Sequence, residues 1–449
     1  MVPVLSRVAR AMGGVGLSGA SVVGAGAAGV LTAMRAAYPR PPDHAPSNLS
    51  PVSEMPDGRL AVAVVLGASG SVITDAFGPY EVFARSPAFF VYSVGAGPTA
   101  MLSGALAVAP DYSLDDVDAG VAPEPDVVVV PAVGAPNGAK EAPLREWLTR
   151  RVDRGAQLLG VCAGARVLAS AGLLDGRRAT SHWSRLSGLE RSRPQVSWVR
   201  GQRYIQDGTV TTTAGVTSGV FGALRLVEQL AGAAEAERVG RELAYPGWSR
   251  GGATDIPALR WAPRDLAYLL TAVAPWFRPT VGVGLVEGVG ELDVAAPFEV
   301  YASSLAARTV PIAAGNTVTT RHGVRLLAIP AGTTAPRINR LVVPGVRGIE
   351  EVDSQLVRWA EERGLVVELP QRSRDAGEFG FDAMLRDLAA YIDRTTAHVT
   401  AKSIEYPSDH LRLAGAGWPW RPTALFAFTV AAAIGVGLIP AAAARRDRR

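Results

Sequence analysis

The chain has 449 residues, 48% of them hydrophobic, with 49 glycines and 32 prolines in no short period and a formal net charge of +4. That length suffices for two or three domains with cores of their own, and the composition excludes fibrous and disordered classes. The near-balanced charge, with no basic block, excludes nucleic acid as a direct partner, and the single cysteine, Cys162, excludes an internal disulfide.

Both ends read as membrane segments. The charge-free stretch Ala11–Met34, behind Arg7 and Arg10, makes residues 1–36 an N-terminal anchor or signal segment. Residues 422–444 are expected to form a transmembrane helix, with Trp418 and Trp420 as interfacial anchors. The basic tail 445–449 then lies in the cytoplasm, and the intervening domains lie outside the cell membrane.

A Pro-rich linker over 37–57 leads to Leu60–Leu66, a continuous apolar run of the kind buried on both faces of a parallel sheet. Gly78-Pro79 sets a helix start, with Asp75 on the loop before it, beyond the strand's C-terminal end. Phe89–Val94 and Asp126–Val130 are further strands, and Leu144, Trp147, Leu148 and Val152 give Glu141–Arg154 helical spacing. Alternating strands and helices of this kind specify an α/β parallel sheet, whose ligands bind beyond the carboxyl ends of the strands.

Gly160-Val161-Cys162-Ala163-Gly164 follows the next apolar run and has the layout of a nucleophile elbow, a tight strand-to-helix turn that presents its central side chain outward. The first turn of a helix favours a thiolate, so Cys162 is expected to be more acidic than a free thiol, and the N–H groups of Ala163 and Gly164 are expected to form an oxyanion site. The alternative is that Cys162 is a small buried hydrophobe. Further on, His182 beside Trp183 is either a base or a residue that anchors its loop. Gln195–Arg200, Arg203–Gln206 and Thr209–Thr213 read as short strands with a turn at Asp207-Gly208. Ala214–Gly219 then leads into a helix with Val220, Leu224, Val227 and Leu230 on its core face.

In order, the apolar first strand, Asp75-x-x-Gly78-Pro79-x-Glu81-Val82-Phe83, Val-Cys162-Ala-Gly164, Ala171-Gly-Leu-Leu-Asp-Gly-Arg177, Thr180-Ser181-His182-Trp183 and Ala214-Gly215-Val216-Thr217-Ser218-Gly219 resemble the ThiJ/PfpI superfamily. The nearest branch is that of isocyanide hydratase and the sensory domain of AraC-type regulators. The resemblance covers residues 58–245 and implies a class I glutamine amidotransferase-like, flavodoxin-like sandwich. It also implies that Cys162 attacks an isocyanide carbon while Asp75 handles the proton. Gly78, Gly215 and Thr217 are expected to line the pocket.

Residues 246–279 form a second linker with a short helix over Leu266–Val273. Residues 280–412 then repeat the first domain: Asp293–Tyr301 repeats Asp75–Phe83, Leu341–Pro344 repeats Val128–Pro131, and Ser403–Pro407 repeats Glu242–Pro246. The second copy is shorter over the interval that holds the elbow and His182 in the first, and it has no cysteine, so it is expected to be a degenerate packing partner. The sequence carries no metal-ligand cluster, phosphate loop or dinucleotide fingerprint, so neither metal nor cofactor is expected.

These readings converge on a membrane-anchored tandem protein that binds or senses a small molecule at Cys162, with a homodimer or a membrane partner as further associations. The alternatives are a cysteine-dependent hydratase or hydrolase of a small electrophile, with Asp75 as acid/base, and a thiol redox sensor relying on an external thiol.

Overall fold

The structure, a computed structural model, describes residues 36–428 apart from 48, 50–51, 266–269, 271–277, 333–334 and 372–377, together with positions 32 and 431. The first half runs through β1 (Leu60–Leu66), α1 (Ile73–Ala84), β2 (Phe89–Gly95), β3 (Leu106–Ala109), β4 (Val127–Val130), β5 (Gln157–Gly160), α2 (Gly164–Ser170), β6 (Val210–Thr213), α3 (Ser218–Ala231) and α4 (Ala233–Leu243). The second half runs through β7 (Thr280–Gly284), α5 (Glu291–Ser304), β8 (Arg308–Ala313), β9 (Arg325–Leu327), β10 (Arg340–Val342), β11 (Val367–Glu368), α6 (Gly380–Tyr391) and α7 (Arg394–Ser403).

The apolar run at 60–66 becomes the strand expected of it because both of its faces find a core. Val62, Val64 and Leu66 enter one hydrophobic cluster, while Ala61, Ala63 and Val65 enter another on the opposite face. The main sheet has the order Tyr204–Asp207, β6, β5, β4, β1, β2, Tyr112–Ser113, parallel throughout except for the antiparallel edge Tyr204–Asp207. A second, all-parallel sheet has the order Ile329–Pro330, β8, β7, β10, β11. A four-stranded sheet sews the halves together, with β3 antiparallel to β9 through Leu326 opposite Val108.

Helix α1 begins at Ile73, so Gly78-Pro79 does not start it as the sequence suggested; Asp75 lies in its first turn and Pro79 inside it. Proline forfeits a helical hydrogen bond, but every residue from Ile73 to Phe83 is buried, and that burial outweighs the loss. Helix α5 likewise contains Pro297 and packs directly on α1. The two helices cap one another. Glu81 on α1 accepts the N–H of Leu292, in the first turn of α5, at 2.7 Å. In return Glu299 on α5 accepts from the backbone N–H and hydroxyl of Thr74, in the first turn of α1. Each carboxyl thus satisfies a donor that a helix N-terminus leaves without an intrahelical partner.

The parallel pairings of the two sheets can be set side by side. Leu158 of β5 pairs with Val128 of β4, and Val367 of β11 pairs with Leu341 of β10. Four residues beyond Leu158 is Cys162; four residues beyond Val367 is Gln371.

The expected cell-membrane location, with extracytoplasmic domains and a cytoplasmic tail, is corrected: among the described residues no helix is long and apolar enough to cross a membrane. The segment 11–34 lies almost wholly outside the described residues, as does most of 422–444; residues 420–428 form a helix with Trp420 and Phe428 exposed. The short helix expected over 266–273 also lies largely outside them.

Candidate functional site

The G-x-C-x-G turn forms as its spacing implies. Cys162 leaves β5 with a φ of +55°, a left-handed conformation that costs a non-glycine residue energy unless its surroundings impose it. Those surroundings are explicit: the Cys162 N–H donates to Thr213 Oγ1 at 3.3 Å, and its carbonyl accepts from Ser181 Oγ at 2.9 Å. Gly164 lets α2 start against the end of β4, since a Cβ there would stand 2.0 Å from the Val130 carbonyl oxygen. Gly160 allows Leu168 to close over its own strand.

Asp75 stands beside the thiol and is fully buried. Its Oδ2 accepts the Ala132 N–H at 3.0 Å, while Oδ1 has no hydrogen-bond partner among the described residues. Burial above all, with the charge of Glu299 adding to it, holds this carboxyl well above the usual carboxylate range, against the opposing pull of the Ala132 N–H and the Cys162 thiol. Asp75 is therefore a proton-bearing acid pressed against the only sulfhydryl.

The thiol itself departs from expectation. Cys162 is 4% exposed, and burial first, then the charges of Asp75, Glu405 and Glu299, push it well above the ordinary thiol value. The Ala163 N–H favours the thiolate, as a helix start should, but the other influences outweigh it. The Gly164 N–H donates to the Val161 carbonyl at 2.7 Å and is not free to hold an oxyanion as expected. The elbow is thus a resting thiol beside a carboxyl whose pKa is itself raised, and ionisation of that carboxyl opposes the thiolate.

His182 caps the helix Trp183–Ser192. Its Nε2 donates to the Ser403 carbonyl at 2.7 Å and its Nδ1 lies 2.8 Å from Ser184 Oγ, so both ring nitrogens are engaged away from the thiol. Burial lowers its pKa, which keeps the ring neutral. Gly78 lies in the seam between helices, where a Cβ would meet Val220 and Leu292 at 3.5 and 3.8 Å. Gly215 and Thr217 lie under a turn from the second half: the Gly215 N–H donates to Glu405 Oε2 at 2.7 Å, and Thr217 Oγ1 donates to the Glu405 carbonyl at 3.2 Å.

Three residues that complete the surroundings of Cys162 come from far along the chain. Tyr38, from the stretch expected to be a linker, packs over Gly70, makes hydrogen-bond contact with Ser103, and feels the charges of Glu299, Asp75 and Cys162. Glu299 comes from α5 and Glu405 from the turn after α7. The sequence held a signal for the carboxyls: in the expected alignment of its two halves Glu299 matches Glu81, and Glu405 matches Ala244. In the second half Gln371 Nε2 donates to Asp293 Oδ1 at 2.8 Å. Among the described residues no group of His, Cys, Asp and Glu side chains is arranged to hold a metal ion.

Glu299 yields a pH-dependent prediction. Burial raises its pKa over that of the unfolded chain, so its protonated form favours folding below the ordinary carboxyl pKa of about 4.3, and that contribution is lost as pH rises through the raised value. Glu299→Gln is expected to gain thermal stability relative to the parent as pH climbs from about 4 to 8, with little gain at the acid end. Melting midpoints across that range test this; a gap independent of pH would contradict it.

A parallel α/β sheet with a cysteine held at positive φ at the end of a central strand defines the class. The sequence pattern of the DJ-1/PfpI family matches residues 61–229. Isonitrile hydratase of Pseudomonas putida is 31% identical over 179 residues, covering 38% of this chain and 72% of that protein. The chain belongs to the DJ-1/PfpI family, with its flavodoxin-like α/β fold. The HTH-type transcriptional regulator CdhR of Pseudomonas aeruginosa is 38% identical over 143 residues, 32% of this chain but only 40% of the regulator. Among solved structures, Drosophila melanogaster DJ-1beta aligns with a TM-score of 0.37 at 23% identity, over 41% of this chain and 97% of that one.

Proposed function

We propose that this protein is a cysteine-dependent hydratase of small electrophiles of the isocyanide type. The observation that carries the reading is the pairing of Cys162, strained at φ +55°, with a buried Asp75 whose pKa is raised and whose Oδ1 has no hydrogen-bond partner among the described residues. Strain of this kind persists where a function needs the side chain aimed. In the proposed reaction Sγ bonds to the terminal carbon of R–N≡C while the thiol proton passes through Asp75 to that carbon, giving a thioimidate. Water then adds to the same carbon, the C–S bond breaks, the sulfur recovers its proton, and the N-substituted formamide leaves. Asp75 suits the relay because a neutral acid can donate to carbon and then accept from water. The similarity to isonitrile hydratase supports the substrate class.

We further read residues 58–245 and 280–412 as two copies of one domain, the second lacking the nucleophile and standing in for a partner subunit. The reciprocal capping of Glu81 and Glu299 supports this, since mutual exchange of the same contact is the signature of a twofold interface. A second functional reading, recognition of a small molecule without turnover, draws on the 4% exposure of the thiol and on the similarity to CdhR.

The deciding experiment is incubation of the protein with cyclohexyl isocyanide, following the formamide by NMR, with Cys162→Ala as control. Catalytic formamide production that Cys162→Ala abolishes is expected. Saturable binding without product would overturn the hydratase and leave recognition.

A further inference from the structure

The carboxylate of Glu405 occupies two backbone donors of the first half: Oε2 accepts from the Gly215 N–H at 2.7 Å and Oε1 from the Trp183 N–H at 3.2 Å. Its Cβ, Cγ and Cδ fill the space over Gly215 so closely that a Cβ there would lie 2.4–2.7 Å from them. Two convergent N–H groups on one carboxylate form an anion site, and here the anion is supplied by the protein itself.

The fold does not need a glutamate at this turn. Glu405 sits at φ +52°, and the matching turn at the end of α4 holds Ala244 at the same φ of +52°. Tyr245 and Tyr406 follow the two residues and meet edge to face with ring centroids 5.7 Å apart. The same turn is therefore built with alanine on one side and glutamate on the other, and only the glutamate faces the half that carries the thiol. Glu405 also lines a cavity of about 550 Å³ between the halves, together with Arg203, His398, Lys402, Tyr406 and Trp418. On that cavity wall Arg203 Nη1 is buried with no hydrogen-bond partner among the described residues.

We propose that the N–H groups of Gly215 and Trp183 form a binding site for the carboxylate of a small-molecule ligand beside Cys162, and that Glu405 is its internal occupant, displaced into the cavity when the ligand enters. Arg203 supplies a cationic resting place for the displaced side chain. The ligand class is then a small organic anion bearing a carboxylate, with its reactive end towards the thiol. The proposal deepens the hydratase reading and rests on it only for the identity of the reacting group.

The test uses the full chain with acetate as probe and acetamide as its neutral control. Glu405→Gly suits the left-handed turn, so it empties the site with the least cost to the backbone. In this variant alkylation of Cys162 by iodoacetamide is expected to quicken about tenfold or more, because the charge that opposes the thiolate and the bulk beside it both leave. Acetate should slow that reaction again and raise the melting midpoint; acetamide should do neither, and the parent should respond only at higher acetate concentrations, because the ligand must first displace Glu405. Unchanged alkylation would overturn the placement of this site beside Cys162. Faster alkylation with no effect of acetate on rate or midpoint would overturn the carboxylate site. If Glu405→Gly does not fold, Glu405→Ala, which empties the site with the residue that Ala244 already places at the same φ, decides by the same two readouts. Acetate binding in a protein that never hydrates an isocyanide would leave this site standing and remove the hydratase reading.

Discussion

Asp75→Asn is expected to make Cys162 more reactive and the protein less active. Burial holds the thiol up first, and the Asp75 charge is the next influence against the thiolate. Asparagine can never ionise, so no charge can arise there to oppose the thiolate at any pH, while an oxygen remains for the Ala132 N–H. Because the thiolate is the attacking form, alkylation at a given pH should accelerate and its midpoint should move downward. Hydration of an isocyanide should fall by about 10²–10⁴-fold, because the relay for the proton is gone. Rates of iodoacetamide labelling against pH, measured beside formamide production, read both effects. A labelling profile that does not move, or turnover that survives, would break the proposed pairing of acid and thiol.

Gly164→Ala is expected to cost about 3 kcal/mol or more and to release the elbow. The added methyl would sit 2.0 Å from the Val130 carbonyl oxygen and 3.0 Å from Pro131, both backbone, so neither can yield by a rotamer change. Relief requires the start of α2 to lift off β4. That movement would unseat Cys162 from Thr213 and Ser181 and let the thiol titrate near the free value of about 8.5. Gly78→Ala is the matched comparison: its methyl would meet Val220 at 3.5 Å, an ordinary contact, inside a helix that alanine favours. Thermal melts and thiol labelling of the two variants give the answer. Parental behaviour of Gly164→Ala would mean that the helix start is not held against Val130.

The central strands were legible because their signal is local: an apolar run such as 60–66 has no other way to bury both faces, and the glycine spacing around Cys162 dictates its turn. The start of α1 was not legible, because Pro79 is a strong local stop signal overridden by burial against α3 and α5, which only the fold reveals. The state of the thiol was misread for a related reason. The helix-start rule is correct at the Ala163 N–H, but the electrostatic balance also includes Asp75, Glu299 and Glu405, and the last two lie more than a hundred residues away. His182 was visible as a residue worth noting, whereas its partner, the Ser403 carbonyl, was not. The likeness of Asp293–Tyr301 to Asp75–Phe83 was legible in the sequence, whereas the order of the second sheet, with β7 between β8 and β10, depends on pairings that no local pattern specifies.

The mutual capping of α1 and α5 has a consequence for mass action. Two separate subunits making this contact would part on dilution, and each would expose an apolar helix as they did. Here one covalent chain carries both Glu81 and Glu299, so each carboxyl meets its helix at a local concentration fixed by the chain and not by the cell. The site at Cys162, which borrows Glu299 and Glu405 from the second half, therefore stays assembled however scarce the protein becomes.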